Sequence, residues 1–177
     1  MSTTTWNFDL GHSDIGFSVR HLMVSKVRGH FKEWGGTLEL DDAHIENSKV
    51  NVHIQSASVE TKDGKRDDHL RSADFFDVTA FPQLTFESTK ITKKGGDDLE
   101  VDGNLTIHGV TKLVKLEVEL SGEVRDPWGG TRRGFSAKGH INRKDFGLAW
   151  NAALETGGVV VGEKVEIHLE IEVIKAA

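Results

Sequence analysis

Nine histidines and no cysteine define what chemistry this chain has to work with. The missing thiol removes disulfides, thiolate zinc sites and cysteine nucleophiles together. His12, His21 and His30 recur at equal, odd-numbered intervals, so on regular strands successive members would face opposite sides. The sequence contains no His-Glu-x-x-His and no His-x-His pair, and a metal needs convergent ligands that this spacing does not supply. His44, His53 and His168 read as solvated strand or loop positions, and His108 as a turn residue. For acid–base work the candidates are Asp68-His69 and the neighbourhood of His12 and Asp14. Adjacent residues diverge on a strand and stand ~100° apart on a helix, so Asp68-His69 is no ready-made dyad. Neither pair lies in a nucleophile motif, and no phosphate loop is present. The doubled glycines at 95–96, 129–130 and 157–158 read as turns. The expectation is a protein without catalytic residues, metal or cofactor. The rival is an enzyme, an isomerase or hydrolase, using His12, His21 or His69 as base.

The elements that must carry these residues belong to one domain, 1–177. A chain of 177 residues buries roughly 70% of its unfolded surface without staples. Lys plus Arg total 22 against 28 for Asp plus Glu, a net charge of −6. That balance lacks the electrostatic footprint of a nucleic-acid binder and gains nothing from an anionic membrane surface. No apolar run approaches the ~20 residues of a spanning helix, so no stable membrane insertion is expected. Residues 1–5 show no basic segment leading into an apolar stretch, which sets the expectation of a cytoplasmic location.

Strict alternation dominates the rest. Val165, Ile167, Leu169, Ile171 and Val173 share one face, while Glu166, His168, Glu170 and Glu172 share the other, the period of a half-buried strand. The pattern recurs in Ile15/Phe17/Val19, Val50/Val52/Ile54, Leu105/Ile107 and Val114/Leu116/Val118/Leu120. His108-Gly109 reads as a tight hairpin, Asp126 to Gly130 and Lys94 to Asp98 as longer ones. Gly35-Gly36 interrupts a strand-like stretch from Val27 to Leu40 and reads as a bulge or sharp bend. Only Gly64–Ala73, with Asp67 and Arg71 at helical spacing, and a short turn from His21 to Lys26 depart from strand character. About eight strands joined mostly by hairpins predict an all-β fold, an up-and-down antiparallel barrel or a curled sandwich. A barrel of that size is either filled by side chains or holds one small ligand. Gly103, Ala137 and Gly139 interrupt bulky faces; either they leave room for a ligand or they relieve strand curvature.

Four segments together carry a resemblance: Asp9 to His21 followed by Ser25 to Phe31; Arg66-Asp67-Asp68-His69-Leu70-Arg71-Ser72-Ala73-Asp74-Phe75-Phe76-Asp77 running into Phe81-Pro82; Gly103 to Lys112; and Arg143-Lys144-Asp145-Phe146-Gly147-Leu148-Ala149-Trp150-Asn151 followed by Gly162 to Val165. In this order they resemble the YceI-like family, bacterial lipocalin-like proteins described as polyisoprenoid-binding. Many members carry a secretory leader and a tyrosine in the first strand, where this chain has Trp6. The resemblance implies an extended eight-stranded antiparallel barrel with an apolar tunnel. Its ligand would be a polyisoprenoid, an isoprenoid quinone or a fatty-acyl or amide lipid, held for transport, storage or sequestration. Phe17, Val19, Phe31, Leu70, Phe75, Phe76, Phe86, Phe135 and Trp150 would line the tunnel, although aromatics of this kind also simply fill cores. His12, His21 and Arg71 are the polar residues expected near a ligand head group. The competing reading is local: Arg71 pairs with Asp67 or Asp74, and His12 caps its turn. Exposed strand edges leave a homodimer open, and a barrel packed shut remains the third class.

Overall fold

The computed structural model describes residues 2–22, 24–152 and 160–177. Its chain winds as eight staves, several of them broken into two segments. Stave one is β1 (Thr4–Phe8) continued by β2 (Asp14–His21), and stave two is β3 (Ser25–Phe31) continued by β4 (Trp34–Leu40). Stave three is β5 (Lys49–Gln55) with the short β6 (Val59–Glu60). After α1 (Gly64–Arg71) come β7 (Gln83–Gly95), β8 (Asp98–Ile107) and β9 (Val110–Leu120). A two-residue β10 (Val124–Arg125) precedes β11 (Thr131–Asn142) and β12 (Val161–Lys175). Every stave pairs antiparallel with its sequence neighbour. The last then pairs with the first, β12 against β2 above and β1 below, which closes an eight-stranded up-and-down barrel. Closure leaves no free sheet edge in the ring.

The alternation decides which side is inside. Odd residues of β12 from Val165 to Ile171 face the interior with Phe17 and Val19 of β2 and Phe135 and Ala137 of β11. Register fixes this, since a slip of one residue would turn the apolar set to solvent. At one end Trp6, Trp34, Leu38, Leu40 and Val173 are buried and packed together. The Leu40–Ser48 loop covers that end, with Asp41 Oδ1 accepting from the backbone of Ala43 and His44 at 3.1 and 3.0 Å. At the other end α1 and the turns after it lie across the mouth. Asp63 starts the helix by accepting from the amides of Lys65 and Arg66, an N-cap that satisfies donors the first turn leaves orphaned.

The hairpins fall where the turn residues place them. His108 and Gly109 take φ of 55° and 73°, the two left-handed residues of a type I′ turn whose twist matches the flanking strands. Asp126 Oδ1 holds the next loop by accepting from the amides of Trp128 and Gly130 at 2.9 and 2.8 Å. The hairpin at His21 runs through Leu22 (φ 54°) into Val24 and Ser25, with Met23 outside the described residues, as is the turn expected at Gly157-Gly158.

Three expectations are corrected. The sharp bend lies at Lys32-Glu33, between β3 and β4, and not at Gly35-Gly36, through which β4 keeps unbroken register with β5. Gly36 serves close approach: a Cβ there would run into the Asn51 carbonyl oxygen. The break at Lys32-Glu33 sits beside the one at Ser56–Ser58, and the two bond each other through Lys32 N–H to Ser58 O and Gln55 N–H to Glu33 O. Such paired irregularities coil a sheet enough to close it. Asp67 and Arg71 make no pair. Asp67 accepts instead from the amide and hydroxyl of Thr61, and Arg71 reaches Asp68 at 3.1 Å. Gly103 and Gly139 do not leave empty volume: a Cβ at Gly103 would strike the Phe86 ring, and one at Gly139 the Leu116 side chain at 2.8 Å. Each glycine makes room for a large neighbour from the adjacent strand.

Candidate functional site

The barrel encloses a cavity of about 610 Å³, within the ~300–1,000 Å³ typical of small-molecule sites. Its wall is almost wholly aliphatic and aromatic. Ile54, Leu84, Phe86, Leu105, Val114, Leu116, Phe135, Leu169 and Ile171 contribute from successive strands. Apolar walls offer water few partners. The volume is therefore suited to an apolar occupant.

Of the residues singled out in the sequence, Phe17, Val19, His21, Phe31, Leu70, Phe75, Phe76, Phe86, Phe135 and Trp150 all lie on the cavity wall. They come from every part of the chain, and the closed register brings them together. Phe17, Phe31 and Phe76 form a chain of rings with centroids 5.6 Å apart at each step. Phe17 stands directly opposite Gly29 across the β2–β3 pair, and its ring occupies the space a Gly29 Cβ would need, with Cζ 2.6 Å away. A second group closes the mouth. His69 of α1 packs edge-on against Phe75 and Trp150 at 5.0 and 4.6 Å, and its Nε2 bonds Asp74 at 2.8 Å.

Two predicted head-group residues are elsewhere. His12 is not at a barrel end but at the kink between β1 and β2, inside one stave, where it points outward. The short helical turn Leu10–His12 continues the strand in the same direction and does not reverse it, a distinction that local turn signals do not carry. His12 Nδ1 meets Asp9 Oδ2 at 2.9 Å with the imidazole 71% exposed. Asp9, His12 and Glu172 are the one cluster with metal-ligating spacing among the described residues. Arg132 Nη1 already sits 2.7 Å from Asp9 and 3.1 Å from Glu172, so a guanidinium neutralises those oxygens. Its hydrogen bond, followed by that of His12, holds the Asp9 carboxyl down at about 2. Arg71 does not reach the cavity either. It donates to the carbonyls of Ala57 and Val59 and to Asp68, fastening α1 to stave three. The local reading of Arg71 holds, with Asp68 in place of Asp67 or Asp74.

Apart from His21, expected near a head group, and His69, weighed as a base, the sequence reading missed the polar residues that line the wall at its mouth. Thr61, Asp63, Lys65, Arg66 and His69 follow β6, Arg20 and His21 end β2, and Arg143 follows β11. All belong to the mouth. Arg143 is only 3% exposed. It donates from Nε to Gly162 O at 2.7 Å, and from Nη1 to Leu148 O at 2.6 Å and Trp150 O at 2.8 Å. Nη2 donates to Val161 O at 3.3 Å. Burial pushes the guanidinium below its ordinary value, and the field of Glu163 opposes that shift only in part. Arg143-Lys144 looks like a solvated basic pair in sequence; only the capped turn Arg143–Phe146, with Gly147 in the left-handed region (φ 78°), folds the arginine inward.

Comparison with known proteins agrees with this architecture. The model of the YceI-like domain matches residues 6–173. Protein YceI of Salmonella newport is 45% identical over 161 residues, covering 91% of this chain and 81% of that protein. Among solved structures, the Campylobacter jejuni YceI protein is 34% identical with a TM-score of 0.77, covering 96% of each chain. Burkholderia cenocepacia BcnA superposes with a TM-score of 0.83 at 24% identity, over 94% of this chain and 99% of its own. A polyisoprenoid binding domain from Saccharophagus degradans superposes with a TM-score of 0.69 at 16% identity, over 98% of this chain and 99% of its own. With the model spanning nearly the whole barrel and relatives this similar along their length, the chain belongs to the YceI-like domain family.

Proposed function

We propose that this protein binds a long apolar molecule inside its barrel, of the polyisoprenoid, isoprenoid-quinone or fatty-acyl class, and holds it for transport, storage or sequestration. The observation that carries this reading is the apolar cavity of about 610 Å³ inside the barrel. Each methylene moved from water to such a wall contributes about 0.8 kcal/mol, so a chain of a dozen carbons binds without charged contacts. The name of the Saccharophagus domain, which shares the fold, supports the same ligand class. His69 with Asp74 is the arrangement closest to an acid–base pair on the wall. Its Nε2 is committed to Asp74 and its ring to Phe75 and Trp150, which suits a closing element better than a base.

The test is mass spectrometry of an organic extract of the purified protein beside its intact native spectrum. A near-stoichiometric apolar molecule is expected. A clean apo mass, with no uptake of added isoprenoid or fatty-acyl probes, would overturn the proposal. Turnover of an added lipid that is lost in His69→Ala would favour the enzyme.

A further inference from the structure

The chain as a whole carries a net charge of −6 and is repelled by an anionic surface, but its charge is not spread evenly. Around the β2–β3 hairpin at the cavity mouth, cations dominate. Arg20 stands opposite Lys26, and Ser18 opposite Arg28, across that pair of strands. Lys164 lies in the bulge of β12 that flanks β2. All four of these cations are exposed. The carboxylates beside them are taken, Glu166 by Lys26 Nζ at 3.1 Å and Glu163 by Lys144 Nζ at 2.8 Å. Among the described residues, Arg20, Arg28 and Lys164 have no carboxylate within ion-pair distance.

The tip of the same hairpin is apolar. Val24 is 81% and Leu22 43% exposed, and neither lines the cavity. Leu22 also holds φ at 54°, a left-handed conformation that costs a bulky residue and suits Gly or Asn. Other hairpins of the barrel put glycines at such positions, Gly96 and Gly109 among them. The tip is anchored, with Leu22 N–H donating to Val160 O at 2.7 Å and Val24 N–H to His21 O at 3.1 Å. Folding of the barrel does not call for apolar side chains there. A second exposed apolar group, Leu10, Val124 and Trp128, flanks Arg132, whose three carboxylate partners Asp9, Asp126 and Glu172 make that region anionic. Charge therefore distinguishes the two patches.

We propose that the β2–β3 hairpin docks the barrel, mouth first, on an anionic lipid bilayer. Leu22 and Val24 enter the interface, and Arg20, Arg28 and Lys164 rest against the lipid phosphates. Apolar side chains ringed by basic ones are what hold a peripheral protein at such a surface, and each basic residue close to it is worth about fivefold in affinity. Contact of this kind lets an apolar chain pass between bilayer and cavity without crossing water, where every exposed methylene costs a factor of about four in equilibrium. That need rests on the apolar-ligand reading above; the unpaired charges and the exposed side chains do not.

The test is flotation of the full chain, stripped of lipid, with vesicles of phosphatidylcholine alone and of three parts phosphatidylcholine to one part phosphatidylglycerol. Expected is at least about tenfold tighter binding to the anionic vesicles at low salt, an advantage lost as salt rises. Leu22→Asn with Val24→Ser weakens that binding about tenfold, while a fluorescent apolar probe enters the cavity with unchanged affinity. Asn suits the left-handed turn, so the melting temperature holds and separates lost docking from misfolding. Arg28→Gln with Lys164→Gln brings the two vesicle types toward equal binding, and Trp128→Ser changes nothing. No vesicle binding, equal binding to both types, or binding that Trp128→Ser removes and the hairpin variant keeps, overturns the proposal. So does a dimer in sedimentation that the hairpin variant dissociates without any vesicle binding, which gives the patch to a second copy. In each of those cases probe uptake leaves the apolar-ligand reading standing. Docking as expected with no uptake of probe refutes that reading alone.

Discussion

Ala137 offers the most direct test of whether the barrel interior is a ligand site or packed core. It lies midway along β11, opposite Leu169 and Val118, is 7% exposed and lines the cavity. Ala137→Phe adds six carbon atoms to a position that faces the lumen. In a filled core such overpacking costs ~1–3 kcal/mol. Here the ring enters the 610 Å³ space, so the apo protein should melt no lower than wild type. The ligand then loses the room. Displacing four to six methylenes at about 0.8 kcal/mol each removes ~3–5 kcal/mol, a weakening of about two to three and a half decades. Competition with a series of alkanols of rising length reads this directly. In the wild type, affinity rises with each added carbon until the cavity is full; in the variant the plateau comes several carbons sooner. Lower stability with an unchanged length series would refute the reasoning, because it would put the ring in packed core and the ligand elsewhere.

Arg143→Met leaves four carbonyls without their donor, each costing ~1–3 kcal/mol if it stays buried; urea unfolding should show a loss above about 3 kcal/mol and faster proteolysis at 147–152. Gly29→Ala pushes against Phe17 Cζ and should cost ~1–3 kcal/mol, while the Phe17→Ala, Gly29→Ala double variant should recover part of it; strict additivity in that cycle would deny the contact. For Asp9 the folded carboxyl titrates near 2, below its ordinary 3.8. A depressed folded value means stabilisation that is present above the unfolded value and lost as pH falls from about 4 through 2. Arg132→Gln should therefore lower the melting temperature at pH 7 and flatten its fall between pH 4 and 2, and an acid limb identical to wild type would contradict this.

Much of the architecture follows from the residues alone. The alternation along Val165–Val173 assigns an inward and an outward face without any tertiary knowledge, since side chains on a strand have a fixed period of two. His108-Gly109 likewise needs only its own left-handed backbone to make a hairpin. The wall residues were legible because inward apolar positions of a closed barrel have nowhere else to go. What the sequence left undecided depends on contacts between distant segments. Whether Leu10–His12 reverses the chain or only kinks it is settled by β12 running unbroken beside both β1 and β2, and that places His12 outside. Whether Gly103 opens volume or receives a ring depends on Phe86 in the neighbouring strand. Arg143 looks like any basic residue until the turn after β11 brings it under the carbonyls of Leu148, Trp150, Val161 and Gly162. Charge and burial at the mouth arise from which strand ends meet there, and only the closed barrel decides that.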